Sequence, residues 1–96
     1  MRIRWLNQAL QNLEDEAAYI AKDDPKAARI VVQRIFRHVD RLADNPALGR
    51  PGRIHGTRQL VVPETRYIIP YRVRPQLDQI EILRVFHASR KLPDRW

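Results

Sequence analysis

The chain contains no cysteine among its 96 residues. This absence excludes disulfide bonds, thiolate metal sites and a cysteine nucleophile. No apolar run approaches the roughly 20 residues that a membrane-spanning helix needs. The charged start MRIRW is not followed by the apolar segment of a signal peptide. The sequence therefore predicts a cytoplasmic protein with no membrane association.

Lysine is also scarce: the basic residues are 15 arginines and only 3 lysines, and the net charge is +7. Residues 1–48 carry a net charge of +1 and residues 49–96 carry +6. A positive field on the second half suits an anionic partner, either nucleic acid or an acidic protein segment. Arginine also binds phosphate and carboxylate in bidentate fashion, although a GC-rich genome would produce the same arginine bias.

The length of 96 residues fits one domain. A domain of this size buries only roughly 60–68% of its unfolded surface, so its stability is expected to be marginal. We therefore expect a partner chain to contribute to its stability.

The first half predicts a short strand and two helices. Residues 2–6 alternate charged and apolar side chains, and Asn7 suits a helix N-cap. The second helix is predicted to begin with Asp24 as N-cap and Pro25 at the first helical position, and to end before Pro46. The predicted apolar stripes are Leu10, Leu13, Ala17 and Ile20 on the first helix, and Ala28, Val31, Val32, Ile35, Val39 and Leu42 on the second.

The second half predicts three strands at residues 57–62, 66–73 and 78–86, which are rich in branched and aromatic side chains. The short turns between them imply antiparallel neighbours. Pro70 removes a ladder donor, so we expect an edge position or a bulge there. The element order β-αα-βββ predicts an α+β domain over residues 1–96, with a helical hairpin packed on a small antiparallel sheet. On the last strand, Ile80, Ile82, Arg84 and Phe86 are predicted to share one face, and Glu81, Leu83, Val85 and His87 the other.

The stretch GRPGRIHGTRQL (residues 49–60) combines three glycines with three arginines. A Walker phosphate loop requires a lysine and runs from a strand into a helix. This stretch has no lysine and runs from a predicted helix into a predicted strand. It is therefore interpreted as a connector, whose arginines Arg50, Arg53 and Arg58 remain available to phosphates or to a partner's carboxylates.

Four segments in order resemble the RelE/ParE superfamily of toxins from type II toxin–antitoxin modules. They are PALGRPGR (46–53), GTRQL (56–60), YIIPYRV (67–73) and ILRVFHASR (82–90). The resemblance implies a cognate antitoxin that wraps the toxin in a hetero-oligomer. It implies no cofactor and no metal, and it leaves contacts with operator DNA to the antitoxin. The candidate partner-binding residues are Arg50, Arg53, Arg58 and Arg90.

RelE-like members of this superfamily cleave mRNA on the ribosome. Metal-free cleavage needs a general base, cations for the charged phosphorane and a general acid. The candidates at the strand ends are Arg58, Arg66, Tyr71, Arg84 and His87. The imidazole of His87 suits acid–base work near neutral pH, but the sequence favours a hydrogen-bonded structural histidine that closes the strand. For Arg84, an ion pair is an alternative to catalysis.

ParE-like members instead inhibit DNA gyrase, and several features favour this branch. Lys22, Lys26 and Lys91 all lie outside the predicted strands, so the lysine-rich sheet face of RelE is missing. No tyrosine follows Tyr71. The long hairpin and the GRPGR connector also resemble ParE. A ParE-like chain would be a binding toxin rather than an enzyme, and a binding module without toxicity is a third hypothesis.

Overall fold

The computed structural model of the chain describes residues 1–90 and 96. Helix α1 spans Asn7–Ala21 and helix α2 spans Pro25–Asp40, followed by a 3₁₀ turn at Arg41–Ala43. The side chain of Asp24 accepts a hydrogen bond from the Ala27 N–H at 3.0 Å, which confirms the predicted cap of α2. The predicted cap of α1 is wrong, because Asn7 is already helical and Leu6 takes the cap position without a side-chain bond. Within the described residues, neither helix is long and apolar enough to cross a membrane.

In the part of the chain that the structure describes, the sheet has six strands. Five of them follow the order β1-β5-β4-β3-β2, and β6 pairs with β4. Their bounds are Arg2–Trp5 (β1), Arg50–Pro51 (β2), Arg58–Val61 (β3), Tyr67–Arg74 (β4), Gln79–Ile82 (β5) and Phe86–His87 (β6). Strand β1 pairs with β5 in parallel, so the sheet is mixed. The prediction of a purely antiparallel sheet is corrected here. The pattern of residues 2–6 shows a strand but not its partner, and β1 joins β5 only after both helices have crossed the sheet.

The helices cover one face of the sheet and form the core with it. Fully buried side chains from β4 and β5 meet those of α2 and of the 3₁₀ turn after it; the largest are Tyr71, Ile35, Leu42, Ile69, Ile80 and Ile82. The stripe of α2 is confirmed, because its members are buried or packed against the core. On α1 the prediction fails at Leu10, which is 39% exposed, whereas its neighbour Ala9 is fully buried. The helix is rotated so that the smaller side chain faces the sheet.

A one-residue bulge divides the predicted third strand. Tyr71 pairs with Ile82, and Tyr67 pairs with His87. Between these two pairs, the segment that joins β5 to β6 therefore has one more residue than β4. The intervening residues 83–85 carry no regular ladder. As a result, Phe86 lies opposite Ile68 on the outer face and His87 opposite Tyr67 on the core side. The prediction that Arg84 and Phe86 share a face with Ile82, and His87 with Glu81, is therefore wrong.

The bulge also explains Pro70. This residue lies in the interior strand β4, paired with Gln59 of β3, so the edge position is wrong and the bulge is confirmed. The Pro70 carbonyl accepts a hydrogen bond from the Leu83 N–H at 3.0 Å. The backbone nitrogen of Pro70, which carries no hydrogen, points to the same neighbouring segment, where the ladder is interrupted. The Val85 N–H in the bulge donates instead to the Asn12 side chain of α1 at 3.2 Å.

Candidate functional site

The glycine-rich connector is fastened to the core by Tyr71. The buried Tyr71 hydroxyl donates a hydrogen bond to the Pro46 carbonyl at 2.7 Å and accepts one from the Gly49 N–H at 2.8 Å. Burial raises the pKa of this hydroxyl, so it stays protonated and able to donate. Both roles of the hydroxyl are thus filled by the connector, and Tyr71 has no solvent-facing group to offer a substrate.

Gly49 permits this close approach. A Cβ at this position would lie 2.6 Å from Tyr71 Cε1 and 2.7 Å from the Gln59 carbonyl oxygen. The Gly49 carbonyl in turn accepts a hydrogen bond from Arg58 Nη1 at 2.7 Å. We call Pro46, Gly49, Arg58 and Tyr71 the connector clamp. The predicted connector, residues 49–60, also contains strand β2 and the start of β3, which pair with each other as a short hairpin. Close packing against Tyr71 and the Gln59 backbone accounts for the glycine at position 49.

The candidate partner-binding arginines are distributed over two regions. Arg50 lies on β2 at the sheet edge, and Arg53 follows it in the connector; both are exposed. Arg58 is half-buried in the connector clamp. Arg90 lies beyond β6 and pairs with Glu16 of α1. Three of the four candidates thus belong to the connector, and the fourth is held against the first helix.

Glu16, Tyr67, His87 and Arg90 form a polar cluster where β4, β6 and α1 meet. The Tyr67 hydroxyl donates a hydrogen bond to Glu16 Oε1 at 3.1 Å, and Arg90 donates to Glu16 Oε2. The His87 ring packs edge-on against Tyr67, with 5.3 Å between ring centroids. Burial, reinforced by the Glu16 carboxylate, raises the pKa of Tyr67 to about 12. Tyr67 is therefore a hydrogen-bond donor, not a base, at neutral pH.

The other RelE-like candidates lie around this cluster with different contacts. The His87 Nδ1 atom lies 2.6 Å from Ser89 Oγ, which leaves Nε2 as the nitrogen for any acid–base role. Arg66 is exposed, and its carbonyl pairs with the Ala88 N–H beside His87. Arg84 donates to the Leu83 carbonyl at 2.6 Å and lies over the Trp96 ring at 5.4 Å. The structure therefore brings Arg66, His87 and Arg90 to one corner of the sheet, while Arg58 and Tyr71 belong to the connector clamp.

Glu16 and Tyr67 are not among the candidate residues that the sequence predicts. Their hydrogen bond joins residues 51 positions apart, which no local pattern reports. The sequence offered only a weak signal for this pair. Both polar side chains lie beside residues of the predicted core, where each would need a hydrogen-bond partner.

The two helices enclose an apolar groove at the tip of their hairpin. Its volume is about 490 Å³. Four of the eight lining residues are alanine, and small side chains let another helix or extended segment approach closely. The groove is lined by Ala17, Ala18, Ala21, Pro25, Ala28, Arg29, Val32 and Gln33.

The helical hairpin on a mixed sheet is an architecture that this chain shares with solved toxins of type II toxin–antitoxin systems. A solved toxin–antitoxin system of P. aeruginosa, chromosomal ParDE, superposes with a TM-score of 0.80 at 28% identity, covering 93% of this chain and 97% of that chain. The toxin–antitoxin complex RelBE2 of Mycobacterium tuberculosis gives a TM-score of 0.58 at 26% identity, covering 90% and 95%. The predicted α+β fold, with a helical hairpin packed on a sheet, is thus confirmed.

A comparison with family models gives a narrower assignment than the fold. The model of the ParE toxin of the type II toxin–antitoxin system parDE matches residues 3–92, and the chain belongs to this family. A protein of Sinorhizobium fredii named "Putative toxin Y4kP" is 53% identical over 92 residues, covering 96% of this chain and 93% of that protein.

Proposed function

We propose that this ParE-family toxin acts in the cytoplasm by binding and inhibiting DNA gyrase, without catalysing a reaction itself. The observation that carries this proposal is the connector clamp. Two of the five side chains suggested for RNA cleavage, Arg58 and Tyr71, are held in contacts with the connector backbone. Of the three lysines, Lys22 and Lys26 lie in or beside the hairpin and Lys91 lies outside the described residues. Inhibition through surface contacts requires no catalytic set.

We further propose that a cognate antitoxin neutralises the chain by placing an apolar segment in the hairpin groove. The solved relatives are themselves toxin–antitoxin assemblies. The alanine-lined groove offers apolar surface near the exposed cation Arg29, which suits a segment with acidic flanks. The net charge of +6 on residues 49–96 adds attraction at longer range. Association with the antitoxin is then expected to weaken as salt increases, because screening reduces the charge attraction.

Ribosome-dependent mRNA cleavage is the second candidate, and the corner formed by Arg66, His87 and Arg90 favours it. His87 would act as acid or base through Nε2, and the two arginines would stabilise charge on the phosphorane. Against this, Arg90 is paired with Glu16, which reduces its availability for a phosphate.

A DNA supercoiling assay tests the proposal. The refolded chain is added to gyrase, ATP and relaxed plasmid, with antitoxin-saturated toxin as the control. We expect lost supercoiling or accumulated linear plasmid, both reversed by the antitoxin. The variant His87→Ala should inhibit as well as the wild type, and the exposed loop residue His55 supplies the matched variant His55→Ala.

Two other results would redirect the assignment. Unaffected gyrase with a folded chain, together with ribosome-dependent mRNA cleavage that His87→Ala abolishes and His55→Ala does not, would establish the RelE-like function. A chain that affects neither target, and that bacteria tolerate at high expression without antitoxin, would be a binding module that has no toxicity.

A further inference from the structure

Four arginines form an array on the outer face of the sheet, opposite the helices. Arg2 and Arg4 of β1 are in register with Gln79 and Glu81 of β5, and Arg74 and Arg72 of β4 are in register with the same two residues. Residues in register point to the same face. Their neighbours Ile80 and Ile82 face the core, so this set faces outward. We call Arg2, Arg4, Arg72 and Arg74 the arginine array.

Glu81 organises the array from its centre. Its Oε1 atom lies 2.7 Å from Arg72 Nη2 and 3.6 Å from Arg74 Nη1, and its Oε2 atom lies 4.0 Å from Arg4 Nη1. The glutamate side chain is only 9% exposed, whereas those of Arg4, Arg72 and Arg74 are 60%, 41% and 41% exposed. The carboxylate therefore holds the guanidinium groups of Arg4, Arg72 and Arg74 while they still face solvent. One carboxylate among four arginines leaves the array with a net charge of +3.

We propose that the arginine array binds the phosphate backbone of duplex DNA, independently of sequence. Arginines two residues apart on a strand are separated by about 6.6 Å, and β1 and β4 are two strand spacings, about 9.6 Å, apart. The array therefore presents positive charge in two dimensions. A duplex carries one negative charge per roughly 1.7 Å of helix axis, from two backbones, so several phosphates can meet such an array together.

Other anionic partners fit this surface less well. An extended acidic peptide presents a side chain to one face only every ~6.6 Å, so it would match one row of the array and leave the other unneutralised. Single-stranded nucleic acid is held by stacking of its bases on aromatic rings. The array itself contains no ring, and Phe86 and Trp96 on the far side of the bulge already pack against each other and Arg84. Contacts restricted to the backbone are the mode expected for a duplex.

This inference goes beyond inhibition of gyrase and does not depend on it, because binding is measured with DNA alone. It is also distinct from operator recognition, since phosphate contacts position a protein on DNA but carry no base sequence.

The experiment measures binding of a labelled duplex of about 20 base pairs by fluorescence anisotropy, across roughly 0.05 to 0.3 M salt. The first variant is R2Q/R4Q, in which Arg2 and Arg4 are the more peripheral members. The second is R72Q/R74Q/E81Q, which removes the Glu81 carboxylate together with its partners so that no buried charge is left unpaired. The control is R29Q/R37Q, which removes two exposed arginines from α2. Circular dichroism and melting curves establish that each variant is folded.

Two lost phosphate contacts should weaken binding by roughly 60-fold at about 0.1 M salt and reduce the salt slope by about 1.8. The triple variant lowers the net charge by only one, whereas the control lowers it by two. Specific binding at the array therefore requires the triple variant to lose more affinity than the control. Should the triple variant fail to fold, the comparison of R2Q/R4Q with the control R29Q/R37Q tests the proposal.

Three results overturn the proposal. The first is equal loss in R29Q/R37Q and R2Q/R4Q, which would show attraction to net charge alone. The second is displacement of the duplex by poly-glutamate of equal charge, with the same dependence on the array, which would assign the surface to an acidic protein. The third is equally tight, array-dependent binding of a single strand of the same length.

Discussion

Replacing Tyr71 with phenylalanine removes one oxygen atom and tests how the connector is held. The ring is fully buried and would remain in the core. What disappears is the hydroxyl that donates to the Pro46 carbonyl and accepts from the Gly49 N–H. Two backbone groups of the connector then lose their partner, and the Gly49 N–H lies in a buried position where water does not replace it.

Leaving a buried donor or acceptor unpaired costs about 1–3 kcal/mol for each group. Pro46 is only half-buried and can recover part of its loss from water. We therefore expect Tyr71→Phe to lower the free energy of unfolding by about 2–4 kcal/mol. A domain of this size has only about 5–15 kcal/mol in total. With 4–8 °C per kcal/mol, the melting temperature should fall by roughly 10–30 °C.

The assay is thermal and urea unfolding followed by circular dichroism. The matched control is Tyr19→Phe, because Tyr19 is 62% exposed and its hydroxyl is not part of the core. The control should lie within about 0.5 kcal/mol of the wild type. A Tyr71→Phe variant as stable as Tyr19→Phe would refute the reasoning, since it would mean that the connector does not depend on the clamp.

Three further outcomes are expected. Gly49→Ala should destabilise the fold by at least about 2 kcal/mol in urea unfolding, because the added Cβ meets the Gln59 backbone as well as Tyr71; stability unchanged by this substitution would contradict the close approach. Asn12→Ala should cost about 1–2 kcal/mol by leaving the Val85 N–H unpaired, whereas Asn12→Asp, which keeps the acceptor, should retain most of the stability; equal losses in both would exclude this hydrogen bond as the cause. Because the pKa of Tyr67 rises from 10.0 to about 12 on folding, its protonated form stabilises the fold fully below pH 10, and this contribution is lost as the pH rises through 12. Melting temperatures between pH 9 and 12 should therefore fall more steeply for the wild type than for Tyr67→Phe, and parallel curves would contradict the shift.

The helices and most strands could be predicted because their signals are local. The cap at Asp24 and the stripe of α2 depend on neighbours within a few turns, and both are confirmed. Pro70 also gave a correct local signal of a bulge. The position of the bulge could not be predicted, because the extra residue lies on the neighbouring strand rather than at the proline. The parallel pairing of β1 with β5 could not be predicted either, because it also depends on a strand distant in sequence.

The candidate site was less accessible to prediction. One motif contains His87 and Arg90, Arg66 was predicted at a strand end, and the structure brings the three to one corner. Tyr71 belongs to the same motif as Pro70, but its hydroxyl is committed to a connector some 25 residues earlier. Likewise, Glu81 sits on an ordinary alternating strand, and only the register of β1, β5 and β4 surrounds it with arginines. Contacts made through tertiary structure leave no trace in local spacing.

The bulge at residues 83–85 also decides which surface the C-terminal part of the chain presents. Ile82 and His87 are five positions apart, a spacing that places two residues of a regular strand on opposite faces, yet both pair with core-facing residues of β4. Loss of one residue from this segment would straighten the strand and keep the pairs Ile68–Phe86 and Tyr67–His87. Straightening the segment at its present length would instead bring Phe86 opposite Tyr67, and His87 would move to the outer face beside the arginine array. The extra residue is therefore what keeps His87 packed against Tyr67 on the core side.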